Sequence, residues 1–399
     1  MNRSNSGVNL PALRSHNAAL VLDLLRVAGA RGISRLELAE RTGLTPQAVS
    51  KITARLRAEG LVAGAGHRAS TGGKPRTVLR LVPDAGYAVG LHLDRDGLTA
   101  VLVDLSGAVA GSRTAPLDLG APAEEVLAAA TDAVTAVRSG GAVKAAGGGG
   151  AVKAAGGGGA GPAVRDGGAG PGDRPVLGVG VAVPGPLDHR GGVLHRVTGF
   201  PQWDGYPLRD ALAVRTGLPV VVDKDTNAAA LGLALRAEGG GDFAYLHLGT
   251  GLGAGLVLGG ALHRGARTGA GEFGHQTVQL DGPVCGCGGR GCIEALCLAA
   301  VARGDAAEAA RVLGTGAANL VGLLDIDRVV LGGRTVAADP DTYVRGVRAV
   351  LDERAGRGGR GGAEVPVAAA GGGDRPVAEG AAQLVLAPLF GRAGGAGEA

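Results

Sequence analysis

All four cysteines of this 399-residue chain fall within thirteen residues, at positions 285, 287, 292 and 297. A disulfide framework spreads its cysteines to tie distant loops together, whereas a cluster of this kind points to a metal knuckle. Cys285-Gly286-Cys287 and Cys292 supply closely spaced thiolates, and His275 precedes them. Thiolate and imidazole donors favour zinc over magnesium or calcium, in a structural role. Spacing alone leaves the fourth ligand open between His275 and Cys297. If residues 293–300 form a helix, Cys297 becomes a packed apolar residue, since free cysteine is often buried.

Charge is divided unevenly along the chain. Residues 1–82 carry 13 Lys/Arg against 4 Asp/Glu, a balance of +9, and the remainder carries 27 against 32, a balance of −5. A small basic module on a mildly acidic body suggests a polyanionic partner for the first part alone. The pattern over residues 17–82 agrees, reading as three short helices and a hairpin. Leu20, Val21, Leu24 and Leu25 recur at helical spacing. Ser34 and Glu37 form a capping box, and Leu36, Leu38 and Ala39 supply an apolar face. Thr45 suits an N-cap and Pro46 the first helical position, after which Val49, Ile52 and Leu56 make one stripe. Leu61-Val62 starts a strand that Val78–Leu81 returns, with Ala63 to Arg76 as a wing.

In a helix-turn-helix the second helix enters the major groove, so residues 46–57 are the expected reader of DNA. Its outward face is Gln47, Ala48, Ser50 and Lys51, with Arg55 and Arg57 further along. Gln47 suits adenine and Ala48 a thymine methyl, while Ser50, Lys51 and Arg55 suit phosphates. Lys74 and Arg76 at the wing suit a phosphate or a minor groove.

From Tyr87 the pattern turns to strands. Residues 87–93 and 98–105 read as a hairpin, 123–138 as a helix, and 176–183, 220–222 and 243–248 as strands. Strands alternating with helices imply an α/β body over residues 83–390, with 391–399 as a tail. The sequence AVKAAGGGG occurs at 142–150 and again at 151–159. Residues 139–175 therefore read as a low-complexity, disordered surface insertion. Glycine carries little information by itself here, because the chain contains 77. Arginine outnumbers lysine 35 to 5, the mark of a GC-rich coding sequence. The chain starts with polar residues and no stretch is apolar enough to span a bilayer, so a cytoplasmic protein without a membrane partner is expected.

Five motifs occur in order between Val179 and Glu294: Val183-Pro184-Gly185-Pro186, Asp225-Thr226-Asn227, Gly249-Thr250-Gly251-Leu252-Gly253-Ala254-Gly255, Gly271-Glu272-Phe273-Gly274-His275, and Cys285-Gly286-Cys287-Gly288-Gly289-Arg290-Gly291-Cys292-Ile293-Glu294. This run resembles the ROK family, which groups sugar kinases and sugar-sensing repressors. Residues 15–82 resemble the N-terminal region of its repressors. The resemblance implies a winged helix-turn-helix followed by a two-lobed, actin-like (ribonuclease H-like ATPase) ROK domain. It implies zinc on His275, Cys285, Cys287 and Cys292, and a sugar pocket lined by Asp225, Glu272, His275 and Glu294. In the family's kinases the residue matching Asp225 is the general base, and Gly249, Thr250, Gly251 and Gly253 would cradle phosphate.

Three departures oppose catalysis. The kinases carry an Asp-x-Gly-x-Thr turn after the first strand, whereas here His92 replaces the acid and Asp94 the glycine. Lys224 stands where the kinases carry Asn, placed either to pair with Asp225 or to contact the ligand. The span from Glu294 to Val329 is short for the helical region that walls a nucleotide cleft. ATP and Mg²⁺ are therefore not expected. The leading expectation is a DNA-binding repressor of carbohydrate genes. It would act as a homodimer or tetramer on a double-stranded operator and answer to a monosaccharide or sugar phosphate. The alternatives are an ATP-dependent hexose or amino-sugar kinase with a DNA module, and a constitutive DNA-binding protein whose second domain only dimerises. Trp203 is expected either to anchor a packed loop or, less favoured, to stack on a sugar.

Overall fold

The computed structural model describes residues 10–68, 76–140, 175–236, 241–357, 364–371 and 375–392. The expected insertion at 139–175 falls outside these residues except at its margins, as do Lys74 and residues 393–399 of the tail.

The first unit comprises α1 (Leu10–Ala28), β1 (Ile33–Ser34), α2 (Arg35–Thr42), α3 (Pro46–Ala58), β2 (Val62–Arg68) and β3 (Arg76–Leu81). Its three strands pair in the order β1-β3-β2. Local chemistry starts each helix. Ser34 Oγ accepts from the Glu37 amide while the Glu37 carboxylate accepts from the Ser34 amide, closing a capping box on α2. Thr45 caps α3 through the Ala48 amide, with Pro46 at its first position. Val49 and Leu56 of α3 are buried with Val21, Leu25 and Leu38 in one core. Leu36, expected on the apolar face, is 43% exposed instead, because α2 is short and buries only Leu38 and Ala39.

The body has two lobes built to one plan. Lobe I contains β4 (Tyr87–Leu93), β5 (Gly97–Asp104), β6 (Val109–Pro116), α4 (Ala123–Arg138), β7 (Val176–Val183), β8 (Leu187–Asp188), β9 (Val193–Leu194), α5 (Leu208–Thr216) and β10 (Val220–Lys224). Lobe II contains α6 (Asp225–Leu235), β11 (Phe243–Leu248), β12 (Leu252–Leu258), β13 (Ala261–Leu262), α7 (Ile293–Ala302), α8 (Ala306–Leu324), β14 (Arg328–Gly332), α9 (Arg334–Ala338), α10 (Pro340–Arg357) and β15 (Val367–Ala369). The sheets run β6-β5-β4-β7-β10 and β13-β12-β11-β14-β15. In each, an antiparallel meander of three strands is extended by two parallel strands. This repetition is the actin-like architecture expected from the sequence. The edge strand β6 went unread in the sequence because its side chains alternate between exposed and half-buried, leaving no apolar run.

α11 (Arg375–Leu386) closes the body. It crosses the inner face of the lobe I sheet, where Gly90 and Gly180 admit its backbone carbonyls of Ala378 and Ala381. It also packs on α6, with Gly380 against the Ala228 carbonyl. A Cβ at Gly380 would enter that carbonyl's van der Waals envelope, so only glycine permits this approach. Ala378, Ala382, Leu386 and Phe390 continue into the core of the winged unit. One helix therefore touches both lobes and the first unit. No helix among the described residues is long and apolar enough to cross a membrane.

Candidate ligand cleft and metal centre

The cleft opens where the two sheets end. Asp94, Arg95, Lys224, Asp225, Glu272, His275 and Glu294 line it, together with the 250–253 turn region, His247 and Thr198. Asp225 is the first residue of α6, directly after β10, and burial pushes its carboxyl up. Its Oδ1 accepts from the Thr226 amide at 2.6 Å. Lys224, 3% exposed, turns away from Asp225 and donates from Nζ to Glu272 Oε1 at 3.0 Å and to the Ala270 carbonyl. Its hydrogen-bond partners are Glu272 and Ala270 and not Asp225, and it remains among the residues that line the cleft. Beneath them Asp223 accepts from Arg264 Nε at 2.7 Å and Asn227 Nδ2 at 2.8 Å, which braces the end of β10.

Glu294 joins the second lobe to this site. Its Oε2 accepts from the Leu252 amide at 2.8 Å, and its Oε1 lies 4.0 Å from Cys285 Sγ. The glycine-rich stretch is shorter as a turn than expected. Residues 249–251 form the tip of a hairpin, while Leu252–Leu258 is β12, so Gly253 is a strand residue rather than part of a loop. Thr250 and Gly251 line the cleft mouth, where Thr250 Oγ1 donates to Asp94 Oδ1 at 3.1 Å, and Gly249 lies just outside it.

His92 is 2% exposed at the end of β4, and its Nε2 has no hydrogen-bond partner among the described residues. Burial drives its imidazole down to about 4, against the pull of Asp94. Burial acts to raise the Asp94 carboxyl, yet His92, the Arg95 amide and Arg334 together hold it below its ordinary value. Arg95, His247 and Arg334 were missed by the sequence reading. Each is a lone polar residue at a strand end or turn, with no motif to mark it.

Beside the cleft, the ligand atoms of His275, Cys285, Cys287 and Cys292 all lie within 4.8 Å of one another. His275 Nδ1 is 3.7 Å from Cys285 Sγ, and Cys287 Sγ is 3.8 Å from Cys292 Sγ. The knuckle is shaped by the Cys285 amide bonding to the Gly289 carbonyl at 2.8 Å. Burial, with the neighbouring thiols, pushes Cys292 up to about 12. Three thiols this close do not ionise together in the absence of a cation, which is the donor set a soft dication satisfies. Cys297 lies in α7, fully buried, and its Sγ donates to the Ala309 carbonyl at 3.5 Å, apart from the cluster. Trp203 is likewise 1% exposed, its Nε1 donating to the Leu119 carbonyl at 2.9 Å, so it anchors a loop and leaves no face for a sugar.

On the winged unit, Gln47, Ser50, Lys51, Arg55 and Arg57 are exposed along α3, and Ala48 is half-buried. Arg55 reaches Glu59 at 3.6 Å. Arg76 opens β3.

Comparison with known proteins agrees with this architecture. Residues 172–307 match the ROK family, and residues 22–63 match the winged helix-turn-helix DNA-binding family. The chain carries a ROK family domain behind a winged helix-turn-helix. It is 29% identical over 288 residues to the xylose repressor of Caldicellulosiruptor bescii, which covers 72% of this chain and 64% of that protein. A crystal structure of a ROK family transcriptional regulator, a homologue of the E. coli MLC protein, superimposes with a TM-score of 0.72. The superposition covers 96% of this chain and 98% of that one at 20% identity, a likeness of fold. A ROK family glucokinase from Streptomyces griseus, solved with glucose and AMPPNP, is 26% identical with a TM-score of 0.59. It covers 75% of this chain and 99% of its own, so the kinase likeness is confined to the ROK domain.

Proposed function

We propose that this protein is a sugar-responsive transcriptional repressor of carbohydrate genes whose ROK domain serves as a sensor and not as a kinase. The observation that carries the reading is the first turn of the cleft. By the family resemblance, buried His92 and cleft-lining Asp94 stand where the kinases carry the acid and the glycine of their phosphate turn, while Asp225, Glu272 and Glu294 still line the cleft. A carboxylate in place of that glycine sets negative charge against a nucleotide's phosphates.

Asp225, Glu272 and Glu294 accept hydrogen bonds from the hydroxyls of a monosaccharide or sugar phosphate. Zinc held by His275, Cys285, Cys287 and Cys292 supplies a fixed anchor for the loop. With Nδ1 committed to the metal, the other ring nitrogen of His275 becomes a hydrogen-bond donor toward the cleft. Lys224 holds Glu272 in place for the ligand. Gln47, Ala48, Ser50, Lys51 and Arg55, with Lys74 and Arg76 at the wing, contact a double-stranded operator. A dimer supplies the second recognition helix that a two-fold operator requires. The ligand acts by binding one lobe arrangement better than the other.

The test is binding of the purified protein to DNA upstream of its own gene, at two salt concentrations, against a panel of sugars and sugar phosphates. Xylose is the first sugar to try, given the repressor relatives. Specific binding released by one sugar supports the reading. Specific binding indifferent to every sugar refutes the sensor role and favours a constitutive DNA-binding protein. One observation favours a kinase, namely Asp225 at the cleft with its carboxyl raised toward the range of a general base. Sugar-dependent ADP release that disappears in Asp225→Asn would establish that activity.

A further inference from the structure

The two lobes are tied together at the cleft mouth by charges far apart in sequence. Asp94 and Asp96 lie on the turn between β4 and β5 in lobe I, and Arg334 opens α9 in lobe II. Arg334 Nη1 and Nη2 donate to the two oxygens of Asp96 at 2.9 and 2.6 Å, and Nη2 also reaches Asp94 Oδ2 at 3.3 Å. The other oxygen of Asp94 accepts from Thr250 Oγ1 at 3.1 Å and from the Arg95 amide at 2.7 Å. Thr335, next to Arg334, donates to the Gly249 carbonyl at 3.5 Å, which joins α9 to the same hairpin tip. The Asp94 side chain is 14% exposed, so its bonds are partly shielded from water, whereas Asp96, 58% exposed, meets Arg334 at the surface. The tip expected to cradle a phosphate thus already holds an anion supplied by the opposite lobe.

We propose that Asp94 is a built-in anion that closes the cleft from its phosphate side, with Arg334 as its partner, and that the two are positioning residues for the effector. The inference rests on reading the cleft as an effector pocket. An anion bound at this point would draw the two turns together. Here the carboxylate does so before any ligand arrives. The walls carrying Arg95 and Thr250 are therefore set at the spacing the ligand needs, and the cost of ordering them is not charged to ligand binding.

The full-length, metal-loaded protein is compared with Arg334→Ala, Arg334→Lys, Asp94→Asn and Asp94→Gly. Peptide-resolved hydrogen exchange is followed without ligand, and the effector dissociation constant is measured by calorimetry. In Arg334→Ala, exchange rises in the 94–97 turn of lobe I. In Asp94→Asn it rises in the 249–252 tip of lobe II. The effector binds about tenfold more weakly in both, within the usual range of coupling between sites. Arg334→Lys, which keeps the charge, recovers part of the loss. Asp94→Gly takes up inorganic tripolyphosphate, which the parent protein does not. Unchanged exchange across the cleft in both Arg334→Ala and Asp94→Asn overturns the proposal whatever the sugar result. If exchange rises as described and no sugar binds the parent protein, the clamp stands and the effector reading falls.

Discussion

Substituting Cys287 by serine tests what the proposed zinc would do for the cleft. Cys287 is the exposed member of the cluster, whereas Cys285 and Cys292 are buried, so its replacement costs little packing. The loss falls on the metal, because serine is a poor ligand for zinc at neutral pH. Without the metal, His275 loses its fixed tautomer and orientation, and the loop from Glu272 to Glu294 loses its internal tie. One neutral hydrogen bond from His275 contributes about 1 kcal/mol and one charge-assisted bond from a misplaced carboxylate about 1.5 kcal/mol. The combined loss of about 2.5 kcal/mol weakens effector binding roughly sixtyfold. Calorimetric titration of the effector, paired with elemental analysis of bound zinc, measures both terms on one sample. A variant that has lost its zinc yet binds the effector within twofold of the parent would refute the reasoning, since the metal would then hold nothing the ligand uses.

Other consequences can be checked separately. Lys51→Ala on α3 weakens binding to specific and random DNA alike and lowers the slope of log affinity against log salt by about one, read by fluorescence anisotropy; unequal losses would make Lys51 a base reader. His92 is buried neutral with its imidazole driven down to about 4, so the unfolded chain takes up that proton first. Its contribution is present above the unfolded value of about 6.5 and disappears as pH falls toward 4, roughly 3 kcal/mol in all. Denaturant melts of His92→Asn between these pH values should be flatter than those of the parent, and equal slopes would contradict the assignment. Arg26→Gln should leave DNA and effector affinities separately intact while the effector's influence on DNA binding shrinks toward none; an undiminished response would exclude this route of coupling. Trp203→Phe should lose about 1 kcal/mol of stability with the Leu119 bond and leave effector affinity unchanged.

How much of this was legible in the sequence depended on distance along the chain. The helix starts at Ser34 and Thr45 were readable because a capping box and an N-cap are complete within four residues. The cysteine cluster was readable because three thiols fall within eight residues, while the structure, by burying Cys297 in α7, sets it apart from the other three. Lys224 shows the opposite case. Its neighbour Asp225 was the obvious candidate partner, but the chain brings Glu272 to it, 48 residues away. Arg334 carried no signal at all, because its meaning lies in two aspartates some 240 residues earlier. The glycines of the α6–α11 contact were hidden differently. Among 77 glycines, those that admit a backbone cannot be told from those that reflect codon usage.

The arrangement of α6 and α11 gives the cleft a physical connection to the winged unit. α6 begins at Asp225 in the cleft and ends at Leu235, about 15 Å away at the helical rise. The Leu235 carbonyl accepts from Arg26 Nη1 of α1 at 3.1 Å. Arg26 also pairs with Asp23 at 2.8 Å and lies over the Phe390 ring at 5.2 Å, just beyond α11. Asp23 in turn binds Arg392 at 2.7 Å. Two rigid helices locked at Gly380 therefore end on the same side of α1, through one buried carboxylate and its two arginines. A packed helix pair cannot bend at such a contact without opening a cavity or a clash, so a shift at Asp225 would move the whole rod. The first helix of the DNA-binding unit is where that rod ends.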